Sequence, residues 1–289
     1  MRIIVHGGAG KVPDEPAARQ AVLDEAAEQG RVASSPVEAV ERAIRVLETS
    51  PRFNAGIGGA IQSDGVVRTD AGLMTDDGQA GAICGVPGIE HPVSLARVVY
   101  EDTPHVLMTT PGATELAEAN GIETDIDLVT EDSKARWESI GQVPDDVDDR
   151  VAFVREVYGT VPDESDHDTV GAVATDGNHQ AAATSTDGRW MAFAGRVGDT
   201  PQIGAGFYAA AAGGASATGA GEAIATVGLT RHVVALLASG QAVQSAAEQA
   251  IEHLEDTTGD EAGIIVLARD GSIGAANNTD AMQTATAVE

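Results

Sequence analysis

Two strand-like runs built almost wholly of small residues, Thr169 to Ala174 and Gln180 to Thr186, flank an Asp176-Gly177-Asn178 turn. Alternating runs about an Asp-Gly turn are a hairpin signal. Strands of Ala, Gly, Val and Thr carry little side-chain volume, so whatever lies against them must come close. The rest of the chain shares this economy: aromatics make up 3% of it, while glycine alone counts 34 of 289 residues. Such a core packs small side chains closely, as layered α/β arrangements allow. The hairpin also opens on a threonine that follows an acidic, loop-like segment.

The remaining pattern is one of strands in hairpins followed by paired helices. Arg2 to His6 reads as a buried strand running into a glycine turn, Gly7 to Gly10. Pro16 to Val32 is helix-like. Ser35-Pro36-Val37-Glu38 is a helix start, with Ser as N-cap, Pro at the first position and Glu three residues on. Val37, Val40, Ile44 and Leu47 mark its buried face. Short strands with Asp64-Gly65 and Asp77-Gly78 turns fill Ile57 to Cys84. Helices are expected over Leu95 to Tyr100 and Ala113 to Asn120, with a strand over His105 to Thr109 between them. Residues 123–168 read as an acidic linker region with one helix near Val151 to Val157, ending in an exposed, flexible loop over 160–168. Beyond the hairpin, Glu222 to Ala238 and Ala242 to Leu254 are expected helices. Ala262 to Ala268 and Ser272 to Asn277 form a hairpin about Asp270-Gly271. The expected fold is α+β, with antiparallel sheets covered by helices.

Charge excludes some partners. The net charge is −28, and lysine occurs only at Lys11 and Lys134. Phosphates would be repelled, which disfavours nucleic acid. Diffuse acidity with little lysine points to a halophilic cytosol, where salt screens the self-repulsion. The apolar run Ile3 to Val5 is too short for a signal peptide and no later run suits a membrane span. The expectation is a cytoplasmic protein without a membrane partner. The single cysteine, Cys84, reads as a small buried residue.

Several motifs fail on spacing. His6-Gly7-Gly8-Ala9-Gly10-Lys11 has Val5 where a Walker loop needs glycine, and Val12 where it needs Ser or Thr. Gly219-Ala220-Gly221 lacks the third glycine of a dinucleotide fingerprint. Both read instead as tight turns. The seven histidines show no metal spacing, and there is no Gly-x-Ser-x-Gly elbow. Polar residues at strand ends remain. Arg196 and Asp199, in a Gly-Pro loop, suit the carboxylate and ammonium of an amino acid, or form a surface ion pair. Thr218 and Gly219, before a helix, suit an oxyanion hole or an ordinary cap. Asn54 sits in the loop Phe53-Asn54-Ala55-Gly56-Ile57-Gly58. Trp190 suits either a pocket wall or the core. Inside a chain, Thr169 has no built-in base; at a new N-terminus its α-amine could take the hydroxyl proton.

In this order, His6 to Gly10, Phe53 to Gly58, Thr169 to Val173, Ala183 to Thr186, Gly195 to Pro201 and Thr218 to Glu222 resemble the plant-type asparaginase / isoaspartyl peptidase family of N-terminal-nucleophile hydrolases. The resemblance implies a single domain over 1–289, an αββα four-layer sandwich with two antiparallel sheets between helical layers. It implies self-cleavage between Asp168 and Thr169 into 1–168 and 169–289, which stay together. Thr169 would be the nucleophile, supported by Thr186, with Thr218 and Gly219 as oxyanion hole. Arg196, Asp199 and Gly221 would bind substrate, and Asn54 would serve processing. No catalytic cofactor is implied. Backbone carbonyls of Leu47, Glu48, Phe53, Ala55 and Ile57 would hold a structural sodium ion. The implied reaction is hydrolysis of the asparagine side-chain amide and of β-aspartyl dipeptides through a threonyl ester. The implied assembly is a dimer of αβ units.

Two features depart from the family pattern. The pair His167-Asp168 resembles the glycosylasparaginase branch, which makes that activity the alternative; an Asp there also occurs in threonine aspartases. The stretch Asp187 to Ala194 replaces the usual Gly-Gly pattern on the leaving-group side. An amino-acid-binding protein that never matures is the third reading.

Overall fold

The small-residue hairpin lies at the centre of a seven-stranded sheet. The computed structural model describes residues 1–158 and 169–288. In chain order the elements are β1 (Arg2–Gly10), α1 (Pro16–Arg31), α2 (Pro36–Thr49), β2 (Arg68–Thr75), β3 (Ala80–Pro87), α3 (Pro92–Asp102), β4 (Leu107–Thr109), α4 (Gly112–Ala119), α5 (Glu131–Ile140) and α6 (Val147–Val157). They continue with β5 (Val170–Thr175), β6 (Gln180–Thr186), β7 (Phe207–Ala210), β8 (Gly213–Gly219), α7 (Gly221–Val227), α8 (Leu229–Ala238), α9 (Val243–Thr258), β9 (Ala262–Ala268), β10 (Ile273–Asn277) and β11 (Ala281–Val288). The fold is mixed α/β with two sheets, ordered β11-β1-β5-β6-β2-β3-β4 and β10-β9-β8-β7.

Strand alternation decides what each face meets. On β1, Ile3 and Val5 join the core under α1 and α2, while Ile4 joins the cluster shared with Phe207, Ile265 and Leu267. On β5, Val170, Ala172 and Ala174 lie with the helices, and Val173 lies with that second cluster. Strands β1, β2, β5 and β6 contact β7, β8 and β9, so the two sheets face each other. Helices α8 and α9 cover the far side of the smaller sheet, where Val233, Leu237, Ala250 and Leu254 pack on Ala215, Ala217 and Ile264.

Glycine sets the approach of the two sheets. A Cβ at Gly72 would lie 2.1 Å from the Phe207 ring. One at Gly171 would lie 1.9 Å from Ser216 Oγ and 2.3 Å from His6 Nε2. Neither distance is sterically allowed, so these glycines are required by contact rather than by backbone angle.

Several expectations are corrected. The glycine run after His6 is strand, not turn: β1 continues to Gly10 through a register shift between His6 and Ala9. Gly8, at φ 107°, absorbs that bulge. Among its described residues the linker region holds two helices rather than one. Thr130 and Ser133 form a capping box that starts α5, and Leu128 is buried with Ile61, Val67 and Met191. The expected helix from Glu222 to Ala238 is broken at Gly228, which takes a left-handed conformation. Edge strand β4 pairs parallel with β3, so the larger sheet is not wholly antiparallel. Cys84 is half-buried rather than buried. The stretch 160–168 falls in the segment outside the described residues. No single helix among the described residues is long and apolar enough to cross a membrane.

Other details match the sequence. Ser35 Oγ accepts from Glu38 N at 3.2 Å, though the Glu38 carboxylate caps Ser34 N rather than Ser35 N. The Asp176 turn joins β5 to β6 in register, with Val170 opposite Ser185.

The sheet contact yields a prediction. Gly171→Ala should cost more than about 3 kcal/mol in urea unfolding, because both neighbours of the new methyl are buried. Gly78→Ala, where nothing lies within 4 Å of the added Cβ, should cost only about 1 kcal/mol for its positive φ. Equal losses would contradict this account of sheet contact.

Candidate active site

The β5–β6 register explains the first pair of the site. Val170 opposes Ser185, so one step outward brings Thr169 beside Thr186. Their hydroxyls are 3.2 Å apart, Thr169 donating to Thr186. Thr186 in turn donates to the Asn54 carbonyl at 3.3 Å and accepts from Gly188 N at 3.2 Å. Both threonines are buried. Asn54 is held from both ends of its amide: its Nδ2 donates to the Gly188 carbonyl at 2.5 Å and its Oδ1 accepts from Ala60 N at 2.8 Å. Asn54 therefore fixes the loop behind Thr186 and reaches Thr169 through it.

Opposite these strands, β8 ends at Thr218 and Gly219. Thr218 is fully buried, and Gly219 has φ 131° before the chain turns into α7. A left-handed φ and a Cβ 2.6 Å from the Ala262 backbone make glycine necessary there. One cleft is lined by Thr169, Thr186, Arg196, Asp199, Gly219 and Gly221 together. The same cleft adds Gly188, Arg189, Gly198 and Thr200, which the sequence did not single out as site residues.

Gly221 is where the charged pair converges. A Cβ there would lie 2.8 Å from both Arg196 Nη2 and Asp199 Oδ1. Arg196 is held by Glu222, donating from Nε at 2.8 Å and from Nη2 at 2.7 Å. This fork-to-carboxylate pair fixes the guanidinium plane. Glu222 was read only as the start of a helix; the sequence offered no sign that it holds the arginine. Asp199 Oδ2 is buried and has no hydrogen-bond partner among the described residues. Burial pushes its pKa up to about 7, with the Arg196 charge working against that shift. An incoming cation would restore its ionised form.

The loop past Thr186 is unusually acidic inside. Asp187 is fully buried; its Oδ1 accepts from Gly56 N at 3.0 Å, and its Oδ2 has no partner among the described residues. Burial raises its pKa well above the ordinary range, and Glu48 and Asp70 push it the same way. Asp70, beside Thr186 on β2, is raised to about 6 by burial. Trp190 is core and wall at once. It packs with Ile61 and Met191, carries Arg136 over its ring at 4.0 Å, and borders a cavity of about 630 Å³ beside Asn54. His179 is a turn residue, while His167 and Asp168 lie outside the described residues.

The carbonyls expected to hold sodium belong to the end of α2 and to the loop that follows it. Gly56 and Gly58, at φ 72° and 93°, curl the loop back on the end of α2. There the Glu48 carbonyl already accepts from Ile57 N at 2.9 Å, and a Cβ at Gly56 would meet that oxygen at 2.5 Å. Carbonyl oxygens suit a hard cation. Among the described residues no cluster of three or more His, Cys, Asp or Glu could hold a metal ion.

Comparison with known proteins follows the geometry. A family model described as Asparaginase matches residues 1–289. A plant-type L-asparaginase of Pyrococcus abyssi (strain GE5 / Orsay) is 38% identical over 296 residues, covering 99% of this chain and 95% of that protein. One from Thermococcus kodakarensis is 38% identical, covering 98% and 95%. An isoaspartyl peptidase/L-asparaginase of Xenopus laevis is 37% identical, covering 98% and 91%.

The buried carboxylates set a pH dependence. A carboxyl whose native pKa is raised stabilises the fold fully below its unfolded value, near 3.8 for aspartate. That contribution is lost as pH rises through the native value. For Asp70 and Asp199 the loss falls across about 6 and about 7. Urea unfolding should therefore show lower stability at pH 8 than at pH 5. Asp187→Asn keeps the acceptor for Gly56 N and should narrow that difference. An unchanged difference would show that Asp187 is not held neutral.

Proposed function

The chain belongs to the asparaginase family, and we propose that it hydrolyses the side-chain amide of L-asparagine and β-aspartyl dipeptides, with Thr169 as nucleophile. The observation that carries this reading is the Thr169–Thr186 hydroxyl contact in a cleft shared with Arg196 and Asp199. The proposed architecture is one domain over 1–289, a four-layer αββα sandwich. Its two facing sheets, with helices on the outer sides, support that description.

The cycle begins with maturation. The Thr169 hydroxyl attacks the Asp168 carbonyl, the amide nitrogen leaves as an amine, and an ester forms. Water then hydrolyses the ester, leaving 1–168 and 169–289 as two chains that stay associated. The new α-amine of Thr169 has an ordinary pKa near 8, so a useful fraction is a neutral base at working pH. Its substrate is held by Arg196 on the α-carboxylate and Asp199 on the α-ammonium. This places the side-chain amide carbon against Thr169 Oγ1.

In the chemical step the α-amine takes the hydroxyl proton as oxygen bonds to carbon. The Gly219 N–H and the Thr218 hydroxyl meet the developing oxyanion; one such donor is worth about 3 kcal/mol or more in comparable sites. Before cleavage Thr186 holds Thr169 by accepting its hydroxyl hydrogen; for the chemical step that hydrogen turns from Thr186 to the new α-amine. The tetrahedral intermediate collapses with departure of ammonia or an amino acid, which carries away the proton. Water attacks the β-aspartyl ester by the reverse order and frees aspartate. A sodium ion on the carbonyls of Leu47, Glu48, Phe53, Ala55 and Ile57 would stiffen the loop bearing Asn54. The reading is completed by a dimer of αβ units in the cytoplasm.

The test is a denaturing gel with N-terminal sequencing. Active protein should give fragments 1–168 and 169–289, the latter beginning at Thr169. Thr169→Ala should stay whole and lose turnover by about 10⁴-fold or more. Full activity from uncut chain would sink the proposal. The sequence pair His167-Asp168 favours glycosylasparaginase as the second reading. N-acetylglucosaminyl-asparagine offered beside β-aspartyl-leucine separates them, and preference for the glycosylated compound would replace the first reading with the second.

A further inference from the structure

We propose that His6, Ser216 and Thr184 form a positioning device that ties the nucleophile strand to the loop bearing Asp199. The idea takes from the preceding subsection only the roles of Thr169 and Asp199. None of the three residues lines the cleft, and the proposed chemistry uses none of them. Yet all three are fully buried between the sheets.

The contacts form one continuous chain. His6 Nε2 lies 2.9 Å from Ser216 Oγ, Ser216 Oγ lies 2.6 Å from Thr184 Oγ1, and Thr184 Oγ1 donates to the Gly206 carbonyl at 2.9 Å. The proton order then follows, because each hydroxyl has a single hydrogen. Thr184 spends its hydrogen on Gly206, so Ser216 donates to Thr184. Ser216 must therefore accept from the Nε2–H of His6. That leaves His6 Nδ1 with a lone pair, which accepts from Gly8 N at 3.4 Å. One tautomer satisfies every member.

Both ends of the chain reach the site. At one end His6 lies opposite Gly171 on β5, two residues past Thr169, with its Nε2 where a Gly171 Cβ would be. At the other, Gly206 returns its own N–H to the Asp199 carbonyl at 3.1 Å. A Cβ at Gly206 would lie 2.7 Å from Thr200 Cα, so this backbone sits directly on the Asp199-Thr200 segment. The chain crosses from β1 to β8 and back to β6, through the gap that Gly171 leaves open. Its length thus sets the separation between strand β5, which leads out to Thr169, and the Asp199 backbone.

The device holds geometry and does not relay protons. Burial lowers the His6 pKa to about 3, so the ring stays neutral throughout the working range. A neutral ring in one fixed tautomer offers constant donor geometry at its Nε2. Breaking the chain should loosen the Asp199 loop, and its cost should fall on substrate binding more than on bond making.

Three variants test this. Thr184→Val removes the link to Gly206, Ser216→Ala removes the middle member, and Thr184→Ser keeps the hydroxyl as a rescue. Thr184→Val should raise KM for β-aspartyl-leucine at least tenfold with kcat within threefold of wild type, and Thr184→Ser should restore KM. Amide hydrogen exchange over residues 199–206 should quicken at least tenfold in Thr184→Val and Ser216→Ala, but not in Thr184→Ser. Wild-type exchange over that loop in both deletions would overturn the proposal. So would a uniform rise across the core that Thr184→Ser shares, since that marks lost packing. If Thr184→Val does not fold, Ser216→Ala decides. A wild-type protein that turns over neither asparagine nor β-aspartyl-leucine sinks the functional reading instead, and the exchange measurement still judges the tie between His6 and the loop.

Discussion

The close approach of two sheets is the constraint on which the rest of the molecule depends. Sheets with ordinary side chains between them pack about 10 Å apart. Here the facing strands put glycine where a methyl would collide. Gly72 faces Phe207, Gly171 faces His6 and Ser216, Gly214 faces Val173, and Gly263 faces Ala9 and Met282. Polar groups that would be solvated at a strand end are instead pressed together, which is how short hydroxyls on different strands come to touch.

Burial then does most of the chemical tuning. Asp70, Asp187 and Asp199 are all carboxylates removed from water, and each is pushed toward its neutral form. Asp199 and Asp70 both feel the Arg196 charge, and Arg196 is itself braced by Glu222. The Asp199 oxygen that has no partner among the described residues is costly to bury, and a cation beside it would offset that cost.

Much of the candidate site lies on short spans that the sequence itself draws attention to. The Asp-Gly turn between two small-residue strands was readable locally, whereas the role of Thr186 beside Thr169 came only from the family resemblance; the Gly-rich loop after Gly195 carries Arg196 and Asp199 on one short span. What the sequence concealed was long-range or conformational. His6 and Ser216 are 210 residues apart, and nothing local says they meet. Glu222 looked like a first-turn acid, which suits any helix, so its partner was invisible. Gly7 to Gly10 looked like a turn because glycine signals turns; pairing with β11 carries the strand through it, and β11 itself was not anticipated. Helix α5 was hidden by its polar composition, with no buried residue of its own and a start that depends on the Thr130 cap.

The account centres on one atom, Thr169 Oγ1, acting from a chain terminus. Acid-quenched turnover of asparagine, digested and analysed by mass spectrometry, reads that claim most directly. The account predicts a β-aspartyl ester on the peptide that begins with Thr169. Steady turnover with the adduct on another residue, or on a peptide in which Thr169 is still joined to Asp168, would contradict it.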